Sequence, residues 1–260
     1  MNQNSWQIYR IAFQTIVTKE ILRFMRIWVQ TLLPPAITTT LYFIIFGKLI
    51  GDRIGEMDGY RYIDFIVPGL ILMSVIQNSY ANVVSSFFGT KLQHYIEELL
   101  IAPVPHWVVL GGYVVGGVAR GTMVGVLVTM ISLFFTDLAI NSYGLTLLVF
   151  VLTSVLFALA GFINAVYAKT FDDISIVPTF VLTPLTYLGG VFYSIELLPE
   201  FWQWLSLANP VLYMVNTFRF GILGISDIDV VVALVIIVGF IAILTLYSLR
   251  LLSRGVGIKE

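Results

Sequence analysis

From Trp6 to Arg26, apolar residues (Ile8, Ala12, Phe13, Ile16, Val17, Ile21, Phe24) recur at near-helical spacing between polar ones (Arg10, Gln14, Lys19, Arg23, Arg26). The pattern predicts a helix over 6–26 lying in a membrane interface, with its basic residues among headgroups and its apolar face dipping inward. A solvated lead-in to the first span is the less favoured reading. From Trp28 to Ile50 the only charge is Lys48, and a helix of that length at ~1.5 Å per residue crosses a hydrocarbon core of ~30 Å. A first span is predicted at 28–50, kinked by Pro34 and Pro35. A second follows at 65–88, broken by Pro68-Gly69 and carrying Ser74, Gln77, Asn78, Ser79 and Asn82, polar groups that belong on a face turned to protein or water.

Hydropathy drops over 89–106 through Lys91, Gln93, His94, Glu97 and Glu98, and Pro103 and Pro105 close the stretch. A short amphipathic helix is expected at 91–103, stopped by proline. A third span is expected at 107–135, with Gly111, Gly112, Gly116, Gly117, Gly121 and Gly125 at small-xxx-small spacings that let another helix approach. Arg120 lies near its middle. The fourth span is placed at 145–167 and the fifth, with Pro178 and Pro184, at 174–192. Residues 194–224 mix Trp202, Trp204 and Phe201 with Glu196, Glu200, Asn209-Pro210 and Arg219. Half-length apolar pieces of that kind suit re-entrant or interfacial helices. A sixth span runs over 230–251. The fold class expected is therefore an all-α polytopic membrane protein, one transmembrane domain over 1–260.

Composition agrees with this pattern. The 260 residues are 58% hydrophobic and 11% charged, with a mean hydropathy of +0.94, beyond the ~45–50% apolar content of soluble domains. A net charge of −1 gives no bulk field for nucleic acid, and the absence of cysteine removes disulfides, thiolate metal sites and a cysteine nucleophile. The polar first residues lack the apolar stretch and small-residue site of a cleaved signal, so the N-terminus is expected to be retained. An even span count puts both termini on one side. Nine basic residues fall on that side (Arg10, Lys19, Arg23, Arg26, Lys91, Lys169, Arg250, Arg254, Lys259) against four on the other (Lys48, Arg53, Arg61, Arg219), which orients both termini to the cytoplasm.

The chain has no G-x-x-x-x-G-K-[ST] loop for nucleotide phosphates. His94 and His106 lack metal-ligand spacing, and there is no G-x-S-x-G. Transport without chemistry on this chain becomes the leading class, with no cofactor or metal of its own.

Several stretches together resemble the membrane subunits of ABC-2 type exporters, most of all the YadH-like inner-membrane transport permeases. They are Phe65-Ile66-Val67-Pro68-Gly69-Leu70, Ile96-Glu97-Glu98-Leu99-Leu100-Ile101-Ala102-Pro103-Val104, Gly116-Gly117-Val118-Ala119-Arg120-Gly121, Lys169-Thr170-Phe171-Asp172-Asp173, Thr183 through Tyr193, and Leu198-Pro199 through Asn209-Pro210 to Arg219. The resemblance implies a six-span subunit in a bacterial inner membrane that pairs with a second copy of itself. It implies two separate ATP-binding subunits, where ATP and magnesium would bind, and export from the cytoplasmic side. It also implies an N-terminal interface helix, a coupling helix between spans two and three, and a re-entrant hairpin before the last span. The cargo is not named by it.

The coupling role is expected of Lys91, Leu92, Tyr95, Ile96, Glu97, Glu98, Leu99, Leu100 and Pro103, with Leu92, Tyr95, Ile96, Leu99 and Leu100 sharing an apolar face and the charges on its rim. Gln77, Asn78 and Asn82 suit helix–helix hydrogen bonding, with substrate lining as the sharper alternative, and Arg120 is expected inside the bundle or on a water-filled cavity rather than facing lipid. Tyr193, Trp202, Trp204, Asn209, Pro210 and Arg219 form an outer hairpin or gate, an interfacial aromatic belt being the equal alternative. Lys169, Asp172 and Asp173 read as a solvated turn. A second function class, a membrane-embedded enzyme or scaffold working through its outer segment 193–224, differs in that it need not bring down a P-loop ATPase.

Overall fold

A computed structural model describes residues 3–96 and 103–257; the coupling residues Glu97, Glu98, Leu99 and Leu100 lie outside the described residues. Helix α1 (Gln3–Arg26) breaks at Ile27 and hands over to α2 (Trp28–Ile54), whose stretch Phe43–Ile50 is π-helical. Gly55, at φ 78°, ends α2. A two-strand hairpin follows, β1 (Glu56–Met57) on β2 (Tyr60–Arg61) in register Glu56↔Arg61. Asp58 and Gly59 both take positive φ in its turn, which is why an Asp-Gly pair stands there. Then come α3 (Tyr62–Leu92), α4 (His106–Ser132) and α5 (Tyr143–Tyr167).

Next are α6 (Phe171–Val177), a π-helical turn Pro178–Leu182, and α7 (Thr183–Tyr187). Two shorter helices, α8 (Glu200–Leu207) and α9 (Pro210–Leu223), precede α10 (Val230–Arg254). Among the described residues five helices, α2, α3, α4, α5 and α10, are long and apolar enough to cross a membrane. The segment expected as a fifth span at 174–192 is instead helical over 171–187 in three consecutive pieces. Pro178 and Pro184 each deny a donor to the preceding turn, and the chain passes between them through the π-helical turn, where the Pro178 carbonyl accepts from both the N–H and, at 2.9 Å, the hydroxyl of Thr183.

Helix α3 is the axis of the bundle, packed by α4, α5 and α9, while α10 lies outside α5 and α9. The face of α4 that carries Gly112 and Gly116 receives α1. A Cβ on Gly112 would stand 2.5 Å from Ile16 and one on Gly116 2.6 Å from Glu20, so glycine sets the distance of approach. Ile16, Glu20 and Phe24, four residues apart, form the buried stripe of α1. Ile8, Ile11, Leu22 and Met25 form a second apolar face, exposed among the described residues.

The region expected as one amphipathic helix at 91–103 begins differently. Lys91 and Leu92 are the last turn of α3, and His94 in a left-handed conformation (φ 60°) redirects the chain. That redirection separates the apolar residues expected on one face: Ile96 is buried in the core, whereas Leu92 and Tyr95 are exposed.

Candidate functional site

Two polar assemblies sit in the apolar bundle, side by side. In the first, Glu20 is fully buried against α3 and α4. Its carboxylate accepts hydrogen bonds from the Ser86 hydroxyl and, at 3.4 Å, from Asn82 Nδ2, and it pairs with Arg23 at 3.6 Å. Arg23 Nη2 also donates to both the backbone and side-chain oxygens of Asn82 at 2.8 Å. Lys19 Nζ reaches the Thr90 hydroxyl at 3.4 Å, and the Tyr113 hydroxyl donates to the same oxygen at 3.2 Å. Burial pushes the Glu20 carboxyl above the usual range, against the lowering pull of Arg23, Ser86 and Lys19. Arg23, expected among headgroups, is thus partly buried against α3, because a buried carboxylate requires compensating donors; Lys19 stays exposed.

The second assembly is a cavity of about 240 Å³ between α2, α3 and α4. Gln77, Asn78 and Arg120 line it together with Gln30, Thr31, Thr38, Thr39 and Ser74. Its α2 wall contains Pro34 and Pro35, which cannot donate to the carbonyls of Gln30 and Thr31 one turn back. Asn78 Nδ2 returns to the Ser74 carbonyl at 3.0 Å. Of the four intramembrane polar residues singled out in the sequence, Gln77, Asn78 and Arg120 meet here, whereas Asn82 belongs to the Glu20 assembly.

The residues expected at an outer hairpin divide in two. Trp202 and Trp204 are exposed. Asn209, by contrast, is buried: its side chain accepts from Val211 N at 3.0 Å, capping α9 at Pro210, and donates to the Leu185 carbonyl at 2.6 Å. Arg219 is buried too, donating to the Gly190 carbonyl and lying 3.9 Å from the centre of the Phe65 ring. Tyr193 donates its hydroxyl to the Tyr187 carbonyl at 2.9 Å.

At the other end of α3, Lys91 Nζ donates to the carbonyls of Val166 and Ala168, each at 2.7 Å. It therefore caps the C-terminus of α5, where unpaired carbonyls concentrate negative charge, and is not a rim charge on a separate helix. Asp173 and Thr170 form a reciprocal capping box at the start of α6, where a plain solvated turn was expected. The backbone N–H groups of Lys169 and Thr170 hold the Asp173 carboxyl below the usual range.

Sequence reasoning missed Glu20 as a buried group, and it missed the threonines of α2. The available signal for Glu20 was its place at i+4 from Ile16 and i−4 from Phe24, on the apolar stripe, with Arg23 at i+3. Among the described residues no group of three His, Cys, Asp or Glu side chains gathers as a metal site.

A family model described as ABC-2 type transporter matches residues 11–223. The inner membrane transport permease YadH of Escherichia coli K12 is 62% identical over 253 residues, 97% of this chain and 99% of that protein. Nodulation protein J of Rhizobium leguminosarum bv. viciae is 25% identical over 223 residues, covering 82% and 83%. Nodulation protein J of Rhizobium meliloti is 25% identical over 193 residues, 71% of each chain.

Proposed function

The chain belongs to the ABC-2 type transporter family, and from that premise we propose that it is the membrane-spanning permease subunit of an ATP-driven exporter. Two copies form the translocation path, and two separate ATP-binding subunits supply the energy. The similarity to an inner membrane transport permease along nearly its whole length carries this reading. The lack of a phosphate-binding loop supports placing ATP and magnesium on the partner.

In this reading the chain sits in a bacterial inner membrane as a single domain with six spans. The uncharged helical stretch 174–187 serves as the fifth, short for a span, and both termini are cytoplasmic. The segment from Lys91 to Pro103 receives the ATP-binding subunit. Exposed Leu92 and Tyr95 offer it apolar contacts, and the grip of Lys91 on α5 links that contact to the bundle. The hairpin α8–α9 stands at the outer mouth.

Affinity purification of the tagged chain from its own host in mild detergent is the test. A P-loop ATPase should co-purify in near-equal amount, and inverted vesicles should show ATP-dependent uptake. Recovery of intact chain with no ATPase would overturn the reading. Leu92→Ala with Tyr95→Ala should weaken ATPase recovery without loss of membrane insertion. In intact cells, Met57→Cys should react with an impermeant thiol reagent, while Ser5→Cys and Ser253→Cys stay shielded; labelling at either terminus refutes the orientation.

A further inference from the structure

Arg120 stands midway along α4, where an unpaired charge is costly, yet among the described residues it has no counter-ion. The two ion pairs among the described residues are Glu20–Arg23 and Arg61–Asp64, and Arg120 Nε is buried with no hydrogen-bond partner. Arg23 lies close enough to repel it, and Arg23's own carboxylate partner, Glu20, is held by Arg23, Ser86 and Asn82. No acidic residue lines the cavity that Arg120 faces. The result is a polar recess in the middle of the membrane with one fixed cation and no anion of its own.

The recess has a size and a threshold. About 240 Å³ is many times the ~10–15 Å³ that admits one water, enough for a phosphate or carboxylate with its linking atoms. Along α2, Leu33, Ile37 and Leu41 are each about half exposed, and this apolar stripe runs one residue behind the lining stripe Pro34, Thr38, Tyr42. A molecule with its anionic end on Arg120 would lay a hydrocarbon tail along that stripe. The guanidinium fork suits a two-oxygen anion better than an ammonium would.

We propose that the Arg120 cavity binds the phosphate or carboxylate headgroup of an anionic amphiphile, which is the class of molecule the subunit moves. The second half of this statement rests on the export reading; the binding itself does not.

The test uses the full chain in neutral detergent, without ATPase, and two probes carrying the same labelled acyl chains, phosphatidic acid and diacylglycerol. The chain should hold phosphatidic acid roughly ten- to hundredfold more tightly, the scale of a charge-assisted pair. Arg120→Gln should erase that ratio and Arg120→Lys restore part of it, elution profile and helicity unchanged. If Arg120→Gln does not fold, Gln77→Leu, which keeps the charge, should lower the ratio severalfold. Equal binding of both probes, or a ratio unchanged in the variant that folds, overturns the proposal. Displacement of the lipid by inorganic phosphate at equal concentration also overturns it, because the site would then serve a free anion. A failed ATPase pull-down would leave these binding results standing and would count against the export reading alone.

Discussion

Helices α3 and α10 reverse the rule that holds in water. In α3 the most apolar stretch has a mean hydropathy of 1.3 and is 78% buried by protein; in α10 the value is 3.0 and the buried share 11%. The least apolar of the five long helices is the most enclosed, and the most apolar is the least. Lipid tails take any number of Val and Ile side chains without cost, whereas Asn78, Ser79, Asn82 and Ser86 must find partners within the bundle. Between these two helices it is the polar side chains that go with enclosure.

The sharpest way to break the contrast is truncation. Phe87 on α3 is fully buried and packs on Phe162 and Tyr113 with ring centres 4.4 and 5.2 Å away. Phe87→Ala should cost about 3–5 kcal/mol, whereas Leu246→Ala on α10, 68% exposed, should leave the thermal midpoint in detergent nearly unchanged. Charge deletion follows. Arg23→Ala leaves the buried Glu20 without its cation and should cost about 3 kcal/mol, against ~0.5 kcal/mol or less for Arg250→Ala on the exposed side of α10.

The same variant has a pH signature. Because burial raises the Glu20 carboxyl, the folded chain holds that proton more firmly than the unfolded one. Stability is then greatest below the ordinary glutamate range and falls as pH rises through the raised value. Removing Arg23 should carry that fall to higher pH, read as the thermal midpoint between about pH 4 and 8.

Smaller effects lie at the edges of the two regions. Asn209→Ala removes both the cap of α9 and the tie to Leu185, at about 1–2 kcal/mol by the same midpoint. Asp173 shows the opposite sign to Glu20. Its carboxyl is depressed by the N–H groups of Lys169 and Thr170, so its capping is fully present above the ordinary aspartate pKa of 3.8 and is lost as pH falls through the lower folded value. The protection of the Lys169 and Thr170 amides against hydrogen exchange, relative to the intrinsic rate at each pH, should therefore fall in acid, and Asp173→Asn should abolish that dependence.

The long spans were legible because twenty apolar residues in a row admit few structures, and the family was legible in motifs spread over most of the chain. The prolines of 171–187 were visible, but the π-helical turn Pro178–Leu182 that carries the helix past them is something periodicity does not reveal. The two sides of α1 were half visible: the pattern located an apolar face but did not tell that one stripe meets glycines almost a hundred residues away. The cavity was hidden for a related reason. Gln77, Asn78 and Arg120 stood out as polar, yet Thr31, Thr38 and Thr39 are ordinary in an apolar span until the fold gathers them around one recess. His94 offered no local signal for the positive φ that sends Ile96 inward and leaves Leu92 and Tyr95 out.

The glycine landing on α4 also has a schedule. Ile16 and Glu20 leave the ribosome early, while Gly112 and Gly116, on which they rest, follow nearly a hundred residues later. At ~5–20 residues per second that interval is on the order of five to twenty seconds. During it the stripe that ends up inside the bundle has no protein to lie against. The opposite face of α1, with Ile8, Ile11, Leu22 and Met25 outward, has no such wait: the finished fold leaves it exposed, so it is in its final state before the fourth helix of the chain arrives.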